Sequence, residues 1–492
     1  MKVVRKPAIM VQGTGSNVGK SILVAGLCRA FLRRGLSVRP FKPQNMSNNA
    51  AAVEGGEIGR AQALQARAAG IAANIHMNPV LLKPETDRRS QVIVQGTRAG
   101  YMEASGFRDQ RKNLLPAVLD SFRHLGEGAD LIVVEGAGSP AETNLRRGDI
   151  ANMGFAAAAG VPVVLAGDID RGGVIASLVG THTVLDDVDR SLIKGFLINK
   201  FRGDVGLFSD GTKTIESMTG WAPLGIVPWF TDAHRLPAED AVDLTLRNSS
   251  RQAATIIAVP MFPRIANFDD LDPLKLEPSV QLIIVPPGEA LPGNADLIIL
   301  PGTKATIADL LFLRQQGWDI DLLAHHRRGG RILGICGGYQ MLGETISDPA
   351  GNEGPVRQCA GLGLLRVTTE ISGEKTVRPT EALHMGTGAP VTGYEIHLGE
   401  TIGPDTARGP FLRNGIIEGA GSGDGRVTGT YLHGLFTNDA FRHAFLADIS
   451  GERQLSGISY DPLVEQTLDD LAGHLELHLD LDAVLRIARF GV

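Results

Sequence analysis

GTGSNVGKS, Gly13 to Ser21, stands between a short apolar run, Ala8 to Gln12, and a segment whose apolar residues Leu23, Leu27, Ala30 and Phe31 share one helical face. A strand, a glycine loop and a helix in that order make a phosphate-binding loop. Gly13, Gly15 and Gly19 let the backbone amides turn inward around phosphate, with Thr14 between them. Lys20 then carries a positive charge to the β- and γ-phosphates, and Ser21 stands at the helix N-terminus, where a hydroxyl can ligate Mg²⁺. The strict pattern has glycine where Thr14 stands, so this is a variant loop.

Outward from the loop, β-branched runs alternate with alanine- and leucine-bearing stretches as far as about Pro228. Strands are expected at Ala8–Gln12, Ser37–Phe41, Leu131–Val134, Val161–Ala166, Ile193–Ile198 and Leu224–Val227, which is the pattern of βαβ units around a parallel sheet. Lys42 in FKPQN and Glu135 in VVEGAGS follow two of these strands, at the carboxyl edge where open α/β sheets bind ligands. Asp168, Asp170 and Arg171 in GDIDRGG sit at a third strand end, where an anion or metal site and a capped turn look alike. The loop form resembles dethiobiotin synthetase and its relatives. That resemblance implies ATP as the nucleotide, Lys42 facing phosphate or a substrate carboxylate, Glu135 joining Ser21 on Mg²⁺, and Asn199 of FLINK contacting the base.

Past TDAHRLPAEDAVDLTLRNSSRQ, polar and acid-rich, a second set of strands begins at Thr255. The expected organisation is a nucleotide domain over 1–230, a linker over 231–252, a second α/β domain over 253–441 and a helical extension over 442–492. In the extension, Leu463, Leu468, Leu471 and Leu475 suit a helix docked on a neighbour, which leaves room for a homo-oligomer.

The chain has 492 residues, more than one core usually supports, with 43% hydrophobic and 21% charged residues, an ordinary globular composition. Its net charge of −6 offers no long-range attraction to nucleic acid or anionic membrane. Three cysteines cannot build a disulfide framework, which points to a reducing compartment such as the cytoplasm. The most apolar window, Met153 to Gly167, is too short to span a bilayer and contains Pro162.

GICGG, Gly334 to Gly338, follows the apolar run RILGI and places Cys336 in a G-x-C-x-G turn. A sharp strand-to-helix elbow needs small neighbours to expose its nucleophile, and the helix N-terminus behind it favours a thiolate. Cys28 lies among apolar helix residues and Cys359 in a loop, so both read as structural. YLHGLF places His433 beyond a later strand, as base and acid for the thiol. In LPGTKAT, the amide at Gly302 is a candidate oxyanion donor with that of Gly337. These residues resemble the class I glutamine amidotransferases. That class carries a glutamate two residues after the histidine, where this chain has Leu435, so His433 is oriented by another group or works in a dyad.

Across nearly the whole chain, PFKPQNMSNNA, EIGRAQALQA, LINKFRGD, GYEIHLG and TYLHGLF are similar to the cobyric acid synthase family. The resemblance implies an ATP- and glutamine-dependent ligase. It would amidate the b, d, e and g carboxylates of adenosylcobyrinic acid a,c-diamide through acyl phosphates, with ammonia released from glutamine. The same two domain types occur in cobyrinic acid a,c-diamide synthase, but PFKPQNMSNN and GYEIH argue against that assignment.

Overall fold

A computed structural model describes residues 6–86, 88–103, 111–237, 255–354, 356–451 and 457–491. Most of the expected 231–252 linker lies outside them. Two parallel sheets organise the chain, one on each side of that gap.

The first sheet contains β1 (Ala8–Gly13), β2 (Val38–Phe41), β3 (Leu131–Glu135), β4 (Val163–Asp168), β5 (Ile193–Phe201) and β6 (Ala222–Pro228). Their order is β6-β5-β4-β1-β3-β2, all parallel. β1 is followed in sequence by helix α1 (Lys20–Arg33) and then β2, yet its spatial neighbours are β3 and β4. That reversal of strand order opens a crevice at the carboxyl edge beside β1. Successive residues of β1 face opposite sides, so Ala8 and Met10 enter one apolar layer and Ile9 and Val11 the other.

Between β2 and the helix Leu115–Gly126 the chain makes small strands that the sequence reading did not expect. Gln44–Met46, Val80–Pro84, Arg89–Val94 and Thr97–Glu103 form a four-stranded sheet, and Ala50–Val53 pairs with Gly56–Gly59 in a hairpin. Helix α2 (Arg60–Ala68) leaves that hairpin and returns toward β3. Ala50, Leu81 and Ile93 of this insert pack against Ile396 of the second half. Buried ion pairs line the same seam: Glu57 with Lys83 at 2.8 Å, and Glu85 with Lys304 at 2.9 Å.

The second sheet is built from β7 (Thr255–Pro260), β8 (Val280–Val285), β9 (Leu297–Leu300), β10 (Arg331–Ile335) and, further on, β13 (Val427–Thr430). Their order is β8-β7-β9-β10-β13, all parallel, and the short edge strand Ala420–Gly421 pairs antiparallel with β13. An antiparallel pair, β11 (Thr376–His384) and β12 (Pro390–His397), lies beside it, and β12 pairs with the short β14 (Leu432–His433).

Helix α3 (Gly337–Leu342) follows β10, and three more helices, α4 (Asp439–Ser450), α5 (Tyr460–His478) and α6 (Leu481–Phe490), close the described chain. The leucines of α5 find their neighbour inside the same chain. Leu468, Leu471 and Leu475 join the core of the first sheet and pack on α1. Gly26 permits this approach, because a β-carbon there would come within 2.5 Å of a Leu475 methyl. Each such leucine removed from water contributes roughly 1.5–3 kcal/mol. Pairs such as Arg67 with Asp461, at 2.8 Å, flank the contact and add little on an exposed surface. No described helix is long and apolar enough to cross a membrane.

Candidate active sites on two sheets

The glycine loop turns out of β1 and its conformation depends on glycine at two places. Gly19 has φ +92°, and a β-carbon on Gly13 would come within 2.3 Å of Val18. The Thr14 amide is tied to the Ala166 carbonyl at the end of β4. Lys20 opens α1, and its ammonium donates to the carbonyls of Gly15 (3.0 Å) and Gly138 (3.3 Å). A positive charge is thereby held between the loop and the strand end that carries Glu135.

Glu135 is buried, with only 1% of its surface exposed, and it is the point where four side chains converge. Ser21 and Lys42 each donate to Oε1 at 2.8 Å, while Gln65 (2.6 Å) and Gln62 (3.4 Å) donate to Oε2. A serine hydroxyl beside a single buried carboxylate is a hard-oxygen donor set that suits Mg²⁺, which takes one or two protein oxygens and keeps its other positions for phosphate and water. Gln62 and Gln65 were not singled out in the sequence. Their spacing in EIGRAQALQA, three apart on one helical face, was the available signal.

Asn199 lies behind the loop, where its amide donates to the Val18 carbonyl at 2.8 Å and would lie within 2.6 Å of a β-carbon on Gly19. Asp168 pairs with Lys200 at 3.0 Å and accepts from the Asp170 amide, and Asp170 pairs with Arg202 at 2.7 Å. Asp168 and Asp170 are thus engaged in a turn and its ion pairs.

On the second sheet, Cys336 occupies the bend between β10 and α3 with φ +54° and ψ −111°. A non-glycine residue in that region is strained and needs its surroundings to hold it. The Cys336 amide donates to Thr430 of β13 at 2.8 Å, and the flanking glycines are required by contact. A β-carbon on Gly338 would come within 2.0 Å of the Leu300 carbonyl oxygen, and one on Gly337 within 2.5 Å of the Thr303 methyl. The elbow therefore sits directly against the loop Pro301–Thr303. Gly302 in that loop is close to His433, whose Cε1 would be 3.1 Å from a β-carbon there. Cys336, Gly337, Gly302 and His433 are brought together at one sheet edge. Cys28 is buried inside α1, far along the chain, where desolvation pushes its thiol up.

The group that orients His433 is Asp270. Its Oδ2 is 2.7 Å from His433 Nδ1, and its other oxygen accepts from the Gly434 amide. Burial alone would depress the imidazole. The Asp270 carboxylate beside it, with a further contribution from Cys336, outweighs this and pushes the His433 pKa up to about 10. Leu435, where the wider class has a glutamate, is buried in the core instead. Tyr394 stacks on the other side of His433, with ring centroids 5.2 Å apart and planes 13° from parallel.

A cysteine, a histidine and a buried aspartate linked in that order can activate a thiol and return its proton to a leaving amine. Replacing Asp270 by asparagine is expected to lower glutamine hydrolysis by about 10²- to 10⁴-fold. The sign of the pH effect follows from the raised histidine: losing the carboxylate lowers the imidazole pKa, so the basic limb of the rate profile moves to lower pH, by about 1–3 units. A glutaminase pH profile checks this.

Comparison with known proteins agrees with both halves. Residues 9–243 match the CobQ/CobB/MinD/ParA nucleotide binding domain, and residues 256–441 match the CobB/CobQ-like glutamine amidotransferase domain. The cobyric acid synthase of Paracoccus denitrificans is 62% identical, over 98% of this chain and 100% of its own. That of Cereibacter sphaeroides is 61% identical over 98% and 100%, and that of a Ruegeria species 60% over 97% and 98%. With a nucleotide-binding half and a glutamine amidotransferase half joined in one chain, it belongs to the cobyric acid synthase family of ATP-dependent, glutamine-hydrolysing ligases.

Proposed function

We propose that the chain amidates the b, d, e and g carboxylates of adenosylcobyrinic acid a,c-diamide, activating each with ATP at the first sheet and supplying nitrogen from glutamine at the second. The observation that carries this reading is the Asp270–His433 hydrogen bond beside the Cys336 elbow, in the same chain as the Lys20, Ser21 and Glu135 cluster.

At the second sheet, the Cys336 proton already rests on His433, whose imidazolium is held by Asp270, and the thiolate attacks the glutamine carboxamide carbon. The tetrahedral oxyanion faces the amides of Gly337 and the Gly302 loop. The C–N bond then breaks, and ammonia departs with the proton from His433. A γ-glutamyl thioester remains on Cys336, and water, deprotonated by His433, releases glutamate and restores the thiol.

At the first sheet, a carboxylate oxygen of the corrinoid attacks the γ-phosphorus of ATP, and ADP leaves. Lys20 offsets the charge on the transferring phosphoryl group. Ser21 and Glu135 would hold Mg²⁺, which supplies further positive charge beside the phosphates. Lys42 stands beside Glu135, within reach of a phosphate or the incoming carboxylate, and Asn199 is the candidate for contact with the nucleotide base. Ammonia attacks the acyl phosphate carbon, phosphate leaves with the bridging oxygen, and an amide remains.

The acyl phosphate is tested with corrinoid carboxylates enriched in ¹⁸O. One labelled oxygen should appear in inorganic phosphate for each amide formed. Unlabelled phosphate beside labelled, amidated product would rule that route out.

A further inference from the structure

Helix α2 is nine residues long and touches both sites. Toward its middle, Gln62 and Gln65 hold Oε2 of Glu135, and Gln65 also donates to the Ser21 carbonyl at 3.3 Å. The guanidinium of its first residue, Arg60, donates to the Ala50 carbonyl at 3.0 Å and reaches on into the second half. The guanidinium pairs with Asp269 at 2.7 Å, donates to the Tyr394 hydroxyl, and lies 5.0 Å from the centre of that ring. Asp269 immediately precedes Asp270, which holds one edge of His433, and Tyr394 covers the face of the same imidazole. The Tyr394 hydroxyl closes the contact by donating to Asp269 at 3.3 Å. Arg60 therefore grips one support of His433, Tyr394, and the residue next to the other, Asp270. Gln62 and Gln65 lie two and five residues beyond Arg60, roughly 3 Å and 7.5 Å along the axis.

The Arg60 and Asp269 side chains are only 16% and 10% exposed, so their attraction is weakly screened. Glu135 cannot keep four donors unchanged when Ser21 and Glu135 turn to nucleotide and metal. Gln62 and Gln65 share that carboxylate, and one nine-residue helix joins them to Arg60 as a body. Catalysis by a positioned base tolerates little displacement, about 1 Å being enough to cost 10²-fold.

We infer that Arg60 is a positioning residue that makes glutamine hydrolysis at Cys336 responsive to occupancy of the Glu135 site, through its joint hold on Asp269 and Tyr394. This rests on the two-site reading given above. It links thiol activation to the presence of a carboxylate ready to accept ammonia.

The test measures glutamate release by the full chain with and without ATP, Mg²⁺ and adenosylcobyrinic acid a,c-diamide, alongside ammonia-dependent amidation. For the wild type the three ligands should stimulate glutamate release about 5- to 150-fold, the usual range of coupling between sites. Arg60→Met should lose that stimulation while ammonia-dependent amidation and its KM for ATP stay at wild-type values, and Arg60→Lys should recover part of it. Should Arg60→Met not fold, Tyr394→Phe decides, because it removes only the hydroxyl that Arg60 reaches and should also reduce the ratio. An unstimulated wild type, a variant that keeps the wild-type ratio, or parallel loss of both half-reactions would overturn the inference. A wild type that neither hydrolyses glutamine nor amidates with ammonia would instead sink the reading beneath it.

Discussion

Cys336→Ser should draw no nitrogen from glutamine yet continue to amidate when ammonia is supplied. Serine fits the elbow, since it is no larger than cysteine, and the strained backbone at φ +54° keeps its support from Gly337, Gly338 and the Thr430 carbonyl. What changes is the nucleophile: a hydroxyl is far harder to deprotonate than a thiol, and His433 is placed and tuned for sulfur. Removing one member of such a unit costs about as much as removing all of it, so glutamine-dependent turnover should fall by about 10³-fold or more. The ammonia-dependent rate should stay near that of the wild type, because Lys20, Ser21 and Glu135 belong to the other sheet. Parallel assays with the two nitrogen sources check this, and undiminished use of glutamine would remove Cys336 from the mechanism.

The complementary variant, Lys20→Ala, should lose amidation with either nitrogen source. Alanine is the best helix former, so α1 keeps its first turn. The loss is the ammonium held between the Gly15 and Gly138 carbonyls, and with it the charge that meets the phosphates. In the proposed route, an enzyme that forms no acyl phosphate leaves both glutamine-derived and free ammonia without an electrophile. Deleting one preorganised charge or donor of this kind typically costs about 10²- to 10³-fold, and product formation from ammonia measures it directly. Together the two variants separate the sites: one depends on the nitrogen source and the other does not.

Much of this arrangement was legible because the candidate site residues sit where strands end. Apolar runs before GTGSNVGKS and GICGG mark β1 and β10, and FKPQN and VVEGAGS mark the ends of β2 and β3. The insert over 44–103 was not legible. Strands such as QNM and GEIG are three or four residues long and lack the period-two alternation that identifies a strand. Nor was Asp270. It comes from the short 3₁₀ helix Phe268–Leu271 after β7 and meets a histidine 163 residues later, so no local spacing connects them; the acidic pair in NFDD after a strand is the only trace. The leucines of Leu463 to Leu475 do indicate a docked helix, but periodicity does not name the partner, and α1 supplies it from more than 400 residues away.

The most direct test of the central claim is mass spectrometry of adenosylcobyrinic acid a,c-diamide after incubation with the purified chain, ATP, Mg²⁺ and glutamine labelled with ¹⁵N at its side-chain amide. The account predicts four successive acid-to-amide steps, each carrying one ¹⁵N, ending at a product with four amides more than the starting diamide. An unchanged corrinoid, in the presence of glutamine and ATP consumption, would contradict the proposed substrate.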